Sequence, residues 1–313
     1  MQRISLSTAT VPAPLLVTGS IAYDDIETPR GNGENLLGGS ASYASIAASY
    51  FTDVHIVGVV GTDFRGGDRT RLSARGIAMD GLHQDCSGQT FHWRGKYHEN
   101  YNQRDTLDVS PGVFSGFLPT LPPACRTIPY VLLSNITPAL QWHVLSQVQS
   151  PRFVLLDTMD LWIETAHADL LRILPRADIL IVNDSEARSL GSDDNLIRAG
   201  QTLRQMGARA VIVKKGEHGA LLFHPDGLFA LPAHPVIELH DPTGAGDSFA
   251  GALAGTLAAL QRTDFAACKL AMLYATALAS LTVEAFSCDR LESAGIAEIE
   301  ERASNIRQMI ALD

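Results

Sequence analysis

The chain has 313 residues, roughly twice the ~150-residue prior for one domain, and is long enough to bury a large core. Hydrophobic residues make up 46% and charged residues 19%, which excludes a disordered chain. The net charge of −10 leaves no basic footprint for nucleic acid and no polybasic membrane patch.

Four cysteines, Cys86, Cys125, Cys268 and Cys288, lie far apart without a CxxC pair, so a reduced compartment is expected. The N-terminal stretch has one basic residue and a short apolar run before Gly19, so no signal peptide is expected there. No stretch reads as approaching the ~18 apolar residues of a membrane span. The expectation is a soluble, cytoplasmic protein whose partner is a small molecule, not nucleic acid or a membrane.

In chain order, LLVTG at 15–19, VHIVGVVG at 54–61, YVLLSN at 130–135 and FVLLDT at 153–158 read as strands. DILIVN at 178–183, AVIVKK at 210–215 and ALLF at 220–223 follow. Their near-continuous apolar character suits strands buried on both faces of a parallel sheet. Helical stretches fall between them at 39–50, 65–75, 138–148, 194–206 and 245–260. The alternation predicts an α/β fold with a doubly wound, mostly parallel sheet.

Two regions break the rhythm. After Gly19, IAYDDIE and the Gly-rich RGNGENLLGG replace the expected helix. TFHWRGKYHE at 90–99 alternates, with Phe91, Trp93 and Tyr97 opposite His92, Arg94 and Lys96, the pattern of a half-covered antiparallel strand. Segments 20–37 and 90–105 could form a small lid sheet, or an edge hairpin without function. Segment 245–285 holds thirteen alanines, which suits close helix packing. The economical organisation is one domain over 1–313 with an inserted lid.

The segment 240–255, HDPTGAGDSFAGALAG, carries the chemistry. A β-like run, VIELH, enters a Gly-Ala-Gly turn, and a small-residue helix follows. Gly244 and Gly246 permit close backbone approach, and the new helix offers unpaired N–H groups, an arrangement suited to a phosphoryl group. Asp247 could cap that helix, or accept a proton from a hydroxyl nucleophile. The helix dipole is expected to lower its pKa. Neither a P-loop nor a GxGxxG dinucleotide turn is present.

The run Asp241-Pro-Thr-Gly-Ala-Gly-Asp247 resembles the C-terminal signature of the PfkB (ribokinase-like) carbohydrate kinases, with Pro242 in the place of a usual Thr. Four further stretches resemble the family in order: Gly19-Ser-Ile-Ala-Tyr-Asp24, the Gly38-Gly39 segment, Asn183-Asp-Ser-Glu186, and Lys214-Lys-Gly216-Glu-His-Gly219. Together they span 15–285. The resemblance implies a ribokinase-like fold and an ATP- and Mg²⁺-dependent kinase acting on a primary hydroxyl of a sugar, with a nucleoside kinase as the alternative. It implies Asp247 as general base, and Gly244, Ala245 and Gly246 as holders of the transferring phosphoryl group. Asp24, Gly38, Gly39 and Tyr43 would bind substrate. Asn183, Glu186, Lys214, Gly216 and Gly219 would border the nucleotide, Glu186 acting on Mg²⁺ through water. Asp241 would serve a monovalent cation such as K⁺, and the lid could pair two copies of the chain. As an isolated pair, Asn183 and Glu186 would read as a helix cap.

Departures bear on specificity. Ala22 and Tyr43 stand where relatives often have Asn, and Ser287 replaces a frequent glycine. Tyr43 and the aromatic lid strand could stack on a base. From a different class, a non-catalytic sugar sensor would keep the fold without turnover, but the intact Gly-Ala-Gly-Asp argues against it. A nicotinamide oxidoreductase would lack its glycine fingerprint.

Overall fold

A computed structural model describes residues 3–6 and 11–311. The stretch read for a leader therefore lies partly outside the described residues, at 1–2 and 7–10. Thirteen strands occur among the described residues: β1 (Leu15–Thr18), β2 (Ala22–Thr28), β3 (Gly31–Gly38), β4 (Val54–Val60), β5 (Ile77–Gln84), β6 (Phe91–Tyr97) and β7 (Arg104–Ser110) come first. Then come β8 (Tyr130–Leu133), β9 (Phe153–Asp157), β10 (Ile179–Asn183), β11 (Ala210–Lys214), β12 (Ala220–His224) and β13 (Gly227–Leu231).

Nine strands form one sheet in the order β13-β12-β11-β10-β9-β8-β1-β4-β5. The pairs from β11 to β5 are parallel, while β12 and β13 add an antiparallel edge. The strand pleat explains the apolar runs. Leu15, Val17, Leu132, Leu155 and Ile181 enter one core, with the helices Ser40–Ala48, Ala245–Leu260 and Phe265–Thr282. Leu16, Val131, Leu156 and Val182 enter a second core on the opposite face, with Leu145, Leu170 and Leu203. Both faces are covered, so the strand residues there are apolar except at the carboxyl ends, where Thr18, Asp157, Asn183 and Lys214 stand, and at His55. Leu155 is fully buried, and Leu155→Ala would cost about 2–5 kcal/mol.

Helices Ser40–Ala48 and Ala245–Leu260 lie backbone to backbone. A Cβ on Gly251 would stand 2.1 Å from the Ala44 carbonyl oxygen, so a small-residue seam is obligatory here. Helix Phe265–Thr282 corrects one expectation: its 18 residues have a mean hydropathy of 1.4, long and apolar enough to cross a membrane. It is 72% buried inside the protein, because it packs against Ala245–Leu260 and Ile296–Ile310 as a core helix.

Four strands form a second, smaller sheet in the order β3-β2-β6-β7. It contains both segments set apart in the sequence, with two corrections. β6 runs parallel to β2 and antiparallel only to β7. β7 also carries the second segment on to Ser110; its run RDTLDVS is exposed throughout and gives no hydrophobic signal. β5 and β13, at the sheet's edges, were likewise not predicted. VIELH at 236–240 is no strand: Pro232 and Pro235 remove ladder donors, and Ile237 is 89% exposed.

Candidate active site

Strand order reverses about β1: β4 and β5 follow on one side, β8 to β11 on the other. In open α/β sheets, ligands gather outside the carboxyl ends of the strands at such a point. Here Ser134 N–H donates to the Thr18 carbonyl (2.8 Å), and the Ser40 hydroxyl donates to the Asn135 carbonyl (3.1 Å). Most of the predicted site residues lie near this crevice; Gly216 and Gly219 are the exceptions.

Gly244 has φ +77°, the left-handed region that favours glycine, and a Cβ there would meet the Tyr43 ring at 2.4 Å. It caps the helix Ala245–Leu260 without a side chain over the helix's first N–H groups. Asp241 braces the approach. Its Oδ1 accepts from Thr243 N–H (2.9 Å), while Oδ2 is buried without a partner. Burial pushes its pKa up to about 6 against the opposing Thr243 and Ser287 hydrogen bonds. Ser287 adopts φ +60°, which explains why glycine suits that place, and its hydroxyl donates to the Leu37 carbonyl (2.6 Å).

Asp247 lies in the helix's first turn, partly open to the crevice. The expected lowering of its pKa is overturned. Burial raises it and the nearby Asp157 adds to the rise, while Lys214 and Arg104 oppose. Desolvation outweighs the helix dipole here, and the result is a stronger base.

Asp24, in β2, is 4% exposed, and its Oδ2 would stand 1.9 Å from a Cβ on Gly38. Gly38 therefore makes room for the carboxylate itself. Burial, then the charges of Asp241 and Asp247, push Asp24 up to about 8, against a Gly39 N–H that favours its ionised form. Gly39 has φ +88° and opens the helix Ser40–Ala48. Asp25 is committed elsewhere: it accepts from Asn35 N–H (2.7 Å) and faces His92 at 3.4 Å. Tyr43 is 1% exposed, and its hydroxyl has no partner. With its ring covered it has no free face for a base, so the stacking expectation is corrected.

On the other side, Asn183 and Glu186 form a reciprocal capping box: the Asn183 side chain accepts from Glu186 N–H (2.8 Å), and Glu186 Oε2 accepts from Asn183 N–H (2.7 Å). Glu186 is buried as well, and burial pushes it up to about 7. Lys214 ends β11 opposite Asn183 and stands 3.7 Å from Asp157. Burial works against its charge, but Asp157, Glu186 and Asp247 outweigh it and hold its pKa above the usual lysine value. Gly216 is exposed at the turn after β11. Gly219 is not brought into the site; a Cβ there would strike the Leu231 carbonyl oxygen at 2.0 Å, so it serves the packing of β12 on β13.

Sequence reasoning missed three residues here. Asp157 ends β9 and could have been found as a charged residue at the carboxyl end of an apolar strand. Tyr97, on β6, accepts a hydrogen bond from the Thr243 hydroxyl (3.1 Å) and so joins the small sheet to the 241–247 turn. Arg104, on β7, acts on Asp247 and was hidden in a polar run.

A doubly wound sheet with an anion-binding helix start and an adjacent carboxylate defines a phosphotransferase class of site. Residues 140–294 match the pfkB family of carbohydrate kinases. Cytidine kinase of Thermococcus kodakarensis is 32% identical over 247 residues, covering 76% of this chain and 86% of that protein. Among solved structures, the ribokinase of Cryptococcus neoformans in complex with ADP superposes with a TM-score of 0.77 at 20% identity, covering 93% of this chain and 99% of that one. The aminoimidazole riboside kinase of Salmonella enterica, complexed with aminoimidazole riboside and an ATP analogue, gives 0.74 at 20% identity, with coverages of 93% and 99%. The chain belongs to the PfkB family and is a sugar or nucleoside kinase.

Proposed function

We propose that this kinase transfers the γ-phosphoryl group of ATP to the primary hydroxyl of a nucleoside's pentose. The observation that carries the choice is the likeness to a cytidine kinase over 76% of the chain, which moves a nucleoside ahead of the free sugar ranked first from sequence. Asp24 supports the pentose, since two buried carboxyl oxygens suit a vicinal pair of hydroxyls.

In this reading Asp247 accepts the proton of the primary hydroxyl, whose oxygen attacks the γ-phosphorus. The bond from that phosphorus to the β–γ bridging oxygen breaks, and ADP departs. N–H groups at Gly244 and Gly246 stabilise the charge on the transferring group, and Ala245 joins them once its N–H leaves the Pro242 carbonyl, to which it donates at 3.2 Å; positioning and electrostatics supply most of the rate. Glu186, buried with only Oε2 committed to the cap, fits a water-mediated contact with Mg²⁺, which would neutralise phosphate charge. The unpartnered Asp241 Oδ2 fits a monovalent cation. Gly38 and Gly39 let backbone reach the substrate, and Gly216 lies at the nucleotide's edge. The small sheet is the lid of one kinase domain.

The test is a screen of nucleosides and free sugars for ADP release. Nucleosides are expected to turn over with the higher kcat/KM; turnover of free sugars alone would reject the nucleoside and keep the kinase.

A further inference from the structure

Lys214 stands closer to the phosphoryl-binding turn than a residue at the edge of a nucleotide site would. A Cβ on Gly246 would come within 2.8 Å of Lys214 Nζ, so the ammonium lies directly against this glycine of the turn. A Cβ sits roughly 2.5 Å from its own amide nitrogen, which places the cation beside the donor itself. The backbone of Lys214 is fixed between two strands, in register with Asn183 on β10 and Ala220 on β12. Its side chain is 20% exposed. Asp157 supplies an independent observation. It is 3% exposed, its Oδ1 has no hydrogen-bond partner, and that oxygen faces Nζ at 3.7 Å. The lysine is thus tethered by charge from behind, with its N–H groups left for a ligand in front.

We propose that Lys214 is a further catalytic residue whose ammonium contacts the γ-phosphoryl group as it transfers, with Asp157 as its positioning residue. This rests on the phosphoryl-transfer reading of the same site. The backbone N–H groups of the turn and the Lys214 side chain then form two halves of one cradle. As the acceptor oxygen bonds to phosphorus and the bond to the ADP oxygen breaks, the proton passes to Asp247, and Lys214 balances the charge spread over the equatorial oxygens. No proton leaves the lysine. A fixed cation at that place acts on the transition state more than on bound ADP, because ADP has no group there. A side chain at Gly246 would press on the ammonium and displace it from the turn, so glycine there keeps the two halves together.

Lys214→Met preserves the length of the side chain and removes the charge. In the full-length enzyme it is expected to lower kcat by about 10²–10³-fold. The non-hydrolysable ATP analogue AMP-PNP should bind at least about 10-fold more weakly, with ADP within about twofold of the parent. Asp157→Asn should lower kcat by about 10-fold with the same selectivity for the γ-phosphoryl group. A purely structural lysine would weaken both nucleotides alike. Turnover within threefold of the parent, or equal weakening of ADP and AMP-PNP, would overturn the proposal. If Lys214→Met does not fold by its thermal melt, Lys214→Gln is measured against the same criteria. Asp247→Asn separates the two ideas. An inactive Asp247→Asn beside an active Lys214→Met removes only the role of Lys214, whereas an active Asp247→Asn removes the whole reading.

Discussion

The parallel strands around β1 are buried on both faces, while β7 of the small sheet is exposed along its whole length. The groups suited to chemistry, Asp247, Lys214 and Asp157, sit on the first region, at strand ends and a helix start held by two cores. Asp24, proposed above to hold the substrate's hydroxyls, belongs to β2, in the second sheet. The difference has a physical basis. Phosphoryl transfer demands donors fixed in advance, and misplacement by an ångström costs much of the rate. Recognition and water exclusion require an element that can move, so it must have fewer buried contacts. The hydrogen bond from Thr243 to Tyr97 joins the two regions.

The hardest test of this division falls on the rigid region. Asp247→Asn keeps the side chain's shape and removes the proton acceptor, so kcat should fall by about 10²–10⁴-fold. Its melting temperature should stay near the parent's, since the helix start is shaped by Gly244 and the seam with Ser40–Ala48. Near-normal steady-state rates in the purified variant would reject the base assignment.

The same contrast explains what could be read in advance. Strands buried on both faces write their position as unbroken apolar runs, so β1, β4 and β8 to β12 were legible to within a few residues. β7 was not, because a strand exposed on both faces has no pattern to distinguish it from a loop. The turn at 241–247 was legible through its glycines, whose requirement is local. The ionisation of Asp247 was misjudged because it is set first by burial and then by Asp157, which outweigh Lys214 and Arg104, and all of these come from the tertiary fold. Tyr43 was misplaced for a similar reason: only packing against Gly244 decides that its ring is covered.

A smaller effect should come from the other side of the comparison. Asp24→Ala removes an acceptor for substrate hydroxyls but leaves the 241–247 turn intact. Because burial keeps this carboxyl protonated up to about pH 8, the loss should be about 0.5–1.5 kcal/mol in kcat/KM for the acceptor. The dissociation constant of ATP, measured separately, should not change. Substrate should also protect amides of 20–37 and 90–110 from hydrogen exchange in the parent. If Asp24→Ala weakens ATP instead, the two regions do not divide the work in this way.

The smallest expected effect concerns stability without substrate. Asp24 is pushed up to about 8 in the folded protein, chiefly by burial and then by Asp241 and Asp247, whereas the unfolded chain would release that proton near 4. Below that lower value both states hold the proton, and the stabilising contribution of the protonated carboxyl is fully present. As pH rises toward 8 the unfolded chain has lost its proton while the folded protein retains it, so stability falls across this window and levels off above it. Asp241 and Glu186 are also raised by burial and contribute with the same sign, so the parent's pH profile cannot be assigned to one residue. The difference between parent and variant can. Asp24→Asn keeps a similar shape and cannot ionise, so its melting temperature relative to the parent should rise steadily from pH 5 to pH 8. The variant's effect on acceptor KM should be milder than that of Asp24→Ala, because one acceptor oxygen survives. A melting-temperature difference that stays constant over this range would mean that Asp24 is ionised throughout, and that water or a cation reaches a carboxyl the fold otherwise encloses.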